Sequence, residues 1–263
     1  MTFTVSHGPR RIVCLTEEPT EILYRLGAGE RVVGISAFTV RPPEARRDKP
    51  VVSAFIGGSV QKICALQPDL VIGFSDIQAD LARQLIQANL PVLIFNQRSL
   101  QEVLDVILAL GRLVDRKAEA EALVGAYAQR LEELQAAAAR RRSRPRVYFE
   151  EWDEPMITAI RWVSELIEIA GGRNVFGARS LGKLAKERFV SAEEVVRADP
   201  EVVLASWCGK AFDRAAFEAR PGFAGLSAVR QGRVHEVPSE IILQPGPACL
   251  TDGLDFLLGV LKE

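Results

Sequence analysis

SVQKICALQPDLVIGF, residues 59–74, and SAEEVVRADPEVVLASW, residues 191–207, follow one plan in the two halves of the chain. Each opens on a serine placed to cap a short helix, turns at a proline and ends in an unbroken apolar run. Such a run marks a strand buried on both faces, as in a parallel sheet. A fainter echo pairs TEILYRLGAGERVVG from Thr20 with SELIEIAGGRNVFG from Ser164. Two similar α/β lobes are the simplest reading.

Outward from the repeat, short apolar runs alternate with amphipathic helical stretches. RIVCLT (11–16), RVVGIS (31–36), DLVIGF (69–74) and PVLIF (91–95) read as strands of the first half. RVYFEE (146–151), EVVLAS (201–206) and RVHEVP (233–238) read as strands of the second. Helices are expected over Thr20–Leu26, Asp76–Ala88 and Trp162–Ala170. Ser99 with Glu102 has the spacing of a capping box before LQEVLDVILALGRLV. A further helix is expected from Asp115 to Arg142, with one apolar face through Ala120, Leu123, Val124, Tyr127, Leu131 and Leu134. Roughly 27 residues at 1.5 Å each make about 40 Å, enough to strut two lobes. The basic residues Arg140, Arg141, Arg142 and Arg144 then read as its solvated C-terminal end, where cations suit the helix dipole. The predicted architecture is two Rossmann-like three-layer lobes, each with a mainly parallel sheet. They comprise residues 1–112 and 145–263 and are bridged by one long helix within 113–144.

Composition excludes several classes. Over 263 residues, 33 Lys+Arg oppose 34 Asp+Glu, so no basic face for nucleic acid is expected. No apolar run approaches the ~20 residues of a membrane helix, and direct membrane insertion is not expected. Cys14, Cys64, Cys208 and Cys249 contain no CxxC pair, so neither a zinc knuckle nor a disulfide framework is indicated. Cys14 and Cys64 lie in apolar stretches and read as small buried hydrophobes. With His7 and His235 alone, no His-rich metal site is expected.

Open parallel sheets bind ligands beyond the carboxyl ends of their strands. Those positions hold Thr16, Glu17 and Glu18, then Phe38, then Phe74, Ser75 and Asp76, then Asn96, Gln97 and Arg98. The second half adds Glu150, Glu151, Trp152 and Asp153, then Ser206, Trp207 and Cys208, then Ser239 and Glu240. Phe55, in VSAFIGG, and Trp162 join them. Aromatic and mixed polar groups on loops suit a large, partly planar organic ligand in a cleft between the lobes.

Catalysis is not expected. Glu150 and Glu151 are adjacent on a strand and point to opposite faces, so EEWDEP does not aim paired carboxylates at one substrate. A Cys208 nucleophile needs a base, and His235 reads as a packed histidine in mid-strand. Gly57-Gly58 and Gly171-Gly172 lack the Lys and Ser/Thr that follow a phosphate loop.

RIVCLTEEPTEILYRLGAGERVVGIS, followed by RPPEA, the paired helix–proline–strand units and the AGG turn, resembles class III periplasmic substrate-binding proteins. These serve ABC importers of vitamin B12 and ferric siderophores, and the likeness covers essentially the whole chain. It is strongest to the vitamin B12-binding branch. The resemblance implies non-covalent capture of a corrinoid such as cobalamin, with no catalytic cofactor. The positions matching that branch's ring-contacting aromatics are Phe38, Phe55 and Phe74, with Trp152 one residue from another. Glu240 matches an acidic ligand contact. It further implies a monomeric chain that docks on a permease dimer through one surface glutamate per lobe. Glu193 matches in the second lobe, and Gln61 stands at the equivalent position in the first.

Two alternatives remain open at this stage. Arg98, Arg161 and Arg188 would suit an anionic ferric siderophore, and Cys208, paired by the repeat with Asp76, would suit contact with a bound metal centre or a Cys208-dependent enzyme. MTFTVSHGPRRIV has no basic and apolar leader pattern. That predicts a cytoplasmic corrinoid-binding relative for the chain as written, and a periplasmic importer component for a trimmed form.

Overall fold

The repeated stretch folds the same way twice in the computed structural model, which describes residues 8–262; His7 lies outside the described residues. Ser59 caps the helix Val60–Ala65 by accepting from the Lys62 N–H, and Ser191 caps Ala192–Ala198 by accepting from the Glu194 N–H. Each serine satisfies a donor that the first helical turn leaves without an intrahelical partner. The Glu194 carboxylate accepts in return from the Ser191 N–H at 2.8 Å. Beyond each helix one residue takes a left-handed backbone, Gln67 at φ 46° and Asp199 at φ 39°, immediately before Pro68 or Pro200. The left-handed residue ends the helix and the proline keeps it from resuming.

The chain forms two compact units. One holds residues up to Gln97 together with Gln101–Tyr127, and the other Arg98–Leu100 and the chain from Ala128 onward. Unit one contains β1 (Ile12–Cys14), β2 (Val32–Ser36), β3 (Val51–Ser53), β4 (Leu70–Phe74) and β5 (Val92–Phe95). All are parallel, in the order β3-β2-β1-β4-β5. The connections leave β1 in opposite directions, so the switch point lies between β1 and β4. Val13, Leu15, Ile63, Val71 and Leu85 form the core beneath it.

Unit two contains β6 (Arg146–Asp153), β7 (Met156–Thr158), β8 (Arg173–Asn174), β9 (Val202–Ala205) and β10 (Val234–Glu236). β9 runs parallel to β6 and to β10. The other edge of β6 is shared, by parallel β8 at its start and antiparallel β7 at its end. Tyr148, Phe217 and Phe223 are buried together in the core.

Five expectations need correction. β6 runs on to Asp153, so Trp152 and Asp153 belong to the strand and pair with β7 rather than following it; a three-residue strand after Glu154-Pro155 is too short to show periodicity. The long helix is Lys117–Ala139, 23 residues, and it passes from unit one into unit two between Tyr127 and Ala128. Beyond it Arg141 and Arg144 are not a solvated end. Arg141 donates to the Leu261 carbonyl at 2.8 Å, and Arg144 to the Gly172 carbonyl and the Glu168 carboxylate, each at 2.5 Å. Gly171, at φ 93°, lies so close to the Arg141 guanidinium that a Cβ would stand 2.5 Å from it. Cys14 is fully buried, as expected, but Cys64 is only half-buried. His235 lies on β10, at the sheet edge, and is partly exposed rather than packed in mid-sheet.

The two left-handed residues differ in what their side chains do. Gln67 is exposed, whereas the Asp199 carboxylate accepts from the Ser227 N–H at 2.8 Å and the Ser227 hydroxyl at 2.7 Å. Gln67→Gly is therefore expected to raise stability by up to ~1 kcal/mol through relief of the left-handed backbone. Asp199→Gly relieves the same strain but strands the Ser227 donors, and is expected to lower stability by ~1 kcal/mol. Urea denaturation of both variants checks the opposite signs.

Candidate functional site

In unit one the carboxyl ends of the parallel strands bring Phe38, Phe55, Phe74, Ser75, Asp76 and Asn96 to one end of the sheet. Phe38 and Phe55 meet edge to face, with ring centres 6.5 Å apart. Phe74 and Ser75 are buried, Phe55 is half-buried, and Asp76 and Asn96 are exposed. Phe38 is 42% exposed and Ile56 64%, with Ile77 also open, so this end presents apolar surface to solvent.

Gln78 holds these ends in register. It is fully buried, and its carbonyl accepts from the Phe74 N–H at 3.0 Å. Its amide donates to the carbonyls of Phe55 at 3.0 Å and Leu15 at 3.3 Å. One side chain thus ties together the chain leaving β1, β3 and β4. Gly73 makes room for it, since a Cβ there would stand 2.5 Å from the Gln78 carbonyl oxygen. Reading the sequence did not single out Gln78; a glutamine in the turn after a buried strand is the signal it offered.

The same end carries a buried carboxyl pair, Glu17 and Glu18, at the start of the helix Glu17–Arg25. Burial, and next the charge of Glu17, push the Glu18 pKa up to about 8, although the Thr16 hydroxyl donates to it at 2.9 Å. Burial also raises the nearby Cys14 thiol to about 12, so it remains protonated.

In unit two the equivalent organiser is Glu150. Its carboxylate has no exposed surface and accepts from the Trp207 indole at 3.0 Å, the Tyr148 hydroxyl at 2.9 Å and the Arg220 guanidinium at 2.6 Å. Burial, then the charge of Glu150, raises the Tyr148 pKa well above its ordinary value, keeping the hydroxyl a donor. Trp207 is thereby fixed at the end of β9. Trp152 is fixed in turn by its indole N–H, which donates to the Glu154 carbonyl at 2.9 Å. A concave pocket of about 460 Å³ is lined by Trp207, Lys210 and Glu236–Glu240, so Glu240 is an exposed wall of it.

Other predicted residues fall elsewhere. Glu151 is held in a bidentate pair with Arg188 at 2.5 and 3.0 Å, and Arg188, itself buried, also donates to the Thr158 carbonyl at 2.7 Å. Trp162 is buried and donates to the Ile242 carbonyl at 3.0 Å, which makes it part of the interior of unit two. Arg161 is exposed and paired with Glu165 at 2.8 Å. Arg98 is partly buried and Cys208 is half-buried beside Trp207. Gln61 and Glu193 are both exposed, each the second residue of its short helix. Among the described residues no group of three or more His, Cys, Asp or Glu is disposed to hold a metal ion. No described helix is long and apolar enough to cross a membrane.

The chain belongs to the periplasmic binding protein family, whose model matches residues 12–241; this is a family of non-catalytic solute-binding proteins. It is 27% identical over 97% of its length to an uncharacterized ABC transporter substrate-binding lipoprotein of Bacillus subtilis, covering 80% of that protein. A periplasmic vitamin B12-binding protein of Vibrio cholerae superposes with a TM-score of 0.75 at 25% identity, covering 96% of each chain. A periplasmic heme-binding protein of Roseiflexus superposes with a TM-score of 0.79 at 26% identity, covering 97% of this chain and 100% of that one.

Glu18 makes a stability prediction. Its folded-state pKa, about 8, stands above its ordinary 4.5, so the folded chain binds the extra proton between those values. The stabilisation is full below about 4.5 and falls by ~1.4 kcal/mol for each pH step of one as pH rises towards 8. Glu18→Gln is expected to flatten this slope and to be the more stable protein above pH 8, measured by urea denaturation across the range. Parallel curves for the two proteins would contradict it.

Proposed function

We propose that this chain is the substrate-binding component of an ABC importer and that its ligand is a corrinoid, with cobalamin the type compound. The observation that carries the reading is the set of aromatic side chains at the strand ends, three of them anchored through the buried groups Gln78 and Glu150. In unit one Gln78 bonds the backbone of Phe55 and Phe74, and Phe38 packs on the Phe55 ring; Trp152 and Trp207 stand in unit two, with Trp207 bonded to Glu150. Rings fixed in this way suit a broad, flat, largely neutral macrocycle, which binds by area and shape. The vitamin B12-binding relative supports the same ligand class.

Two of the three candidate arginines, Arg161 and Arg188, favour a corrinoid over a ferric siderophore. Arg188 is buried and neutralised by Glu151, and Arg161 is paired with Glu165. Drawing either towards an anionic chelate means breaking a pair already made, and for Arg188 leaving Glu151 partly buried without its cation. Haem is the second reading, favoured by the heme-binding relative and by Cys208, a thiol beside Trp207 able to serve as an iron ligand.

As importer component, the chain works outside the membrane that its permease spans. Glu193 and Gln61, exposed at matching helix positions, are the proposed docking residues. A neutral amide at position 61 makes the unit-one anchor the weaker of the two.

Calorimetric titration with hydroxocobalamin tests the reading: saturation near one per chain is expected, and the ligand is released unchanged on denaturation. Phe38→Ala removes an exposed ring and is expected to weaken binding ~10-fold while leaving stability within ~0.5 kcal/mol. No saturable binding at tens of micromolar would exclude the corrinoid.

A further inference from the structure

Trp152 and Trp207 do not stand open. The Lys210 ammonium lies 4.5 Å from the centre of the Trp152 ring and 4.7 Å from that of Trp207. Asp153 holds the same ammonium at 2.7 Å. Both indole N–H groups are already committed, to the Glu154 carbonyl and the Glu150 carboxylate. What the rings have left to offer a ligand is their faces, and a ring face attracts either a cation or another flat surface. Lys210 already occupies both.

The lysine is mounted so that it can leave. It follows Gly209, whose backbone is left-handed at φ 81° with nothing within 4 Å of where a Cβ would stand. The Lys210 side chain is 42% exposed, and the carboxylate it pairs with, Asp153, is itself 22% exposed. Glu236 and Glu240 line the same pocket, so a displaced ammonium has carboxylates at hand. Those two acids, with Asp153, also make Lys210 a poor anchor for an anionic ligand, because its charge is already answered.

We propose that Lys210 is a latch on the ligand face: it covers Trp152 and Trp207, and a flat ligand must expel it before stacking there. The latch rests on the proposed function only for the identity of the ligand. Its consequence is selectivity by stacking area. A small solute recovers too little contact to open the latch, whereas a macrocycle covering both rings recovers more than the lysine gives up. Two cation–π contacts and a partly exposed ion pair set the cost of opening at ~5–50-fold in affinity.

Calorimetry with hydroxocobalamin and with haemin, on the wild-type chain and on Lys210→Met and Lys210→Arg, tests the latch. Lys210→Met is expected to bind the preferred probe ~5–50-fold more tightly, and Lys210→Arg, which keeps a cation on the rings, to stay near wild type. Unchanged or weaker binding by Lys210→Met overturns the latch while leaving the corrinoid or haem reading intact. If the wild-type chain takes neither probe, the ligand reading fails and indole fluorescence decides the latch alone. Increased acrylamide quenching of Lys210→Met supports the latch, and quenching equal to wild type overturns it.

Discussion

Glu150 is a carboxylate with no exposed surface, and a charge in that position is tolerable only when donors meet it. Three do, and each also serves the rest of unit two. Arg220 packs its guanidinium over the rings of Phe217 and Phe223, at 5.2 and 5.4 Å, which join it to the core. Tyr148 comes from the centre of the sheet. Trp207 lines the pocket with Lys210 and Glu240, so the bond that satisfies the buried charge also fixes that ring. Removing Arg220 would break a buried ion pair at a cost of ~3–5 kcal/mol, and removing the Tyr148 or Trp207 donor would lose a hydrogen bond to a charge worth ~1.5–3 kcal/mol. That penalty holds Trp207 to a single orientation.

Unit one meets the same demand with a neutral group. Gln78 ties three strand ends through one acceptor and two donor contacts, with no charge to neutralise. An amide costs less to bury than a carboxylate and tolerates small shifts better. The two units therefore hold their aromatic groups by different chemistry, one by a neutral amide and one by a buried charge. The exposed apolar surface of Phe38, Ile56 and Ile77 lies in the unit organised by the amide.

Much of this was legible in the sequence, because parallel strands write themselves as unbroken apolar runs and capped helices carry serines. Seven strands and the repeat followed from that, as did the positions just beyond the strands. What escaped was non-local or short. Arg220 reaches Glu150 across 70 residues, and no spacing rule pairs them. Gln78 reads as an ordinary polar residue until the β1 and β3 ends stand beside it. β3, β7 and β8, of three, three and two residues, are too brief for any period. Arg188 looked available to a ligand because its partner Glu151 lies 37 residues away, and Trp162 looked like a ring for the site because its burial under Ile242 is a tertiary fact.

The corrinoid proposed for this member of the periplasmic binding protein family has a large flat face and little net charge, which the strand-end aromatics suit. The most direct measurement is native mass spectrometry of the chain offered equimolar hydroxocobalamin, haemin and a ferric hydroxamate siderophore together. One corrinoid retained per chain, with the other two excluded, is the predicted result. Retention of haem or of the siderophore in its place would contradict the account.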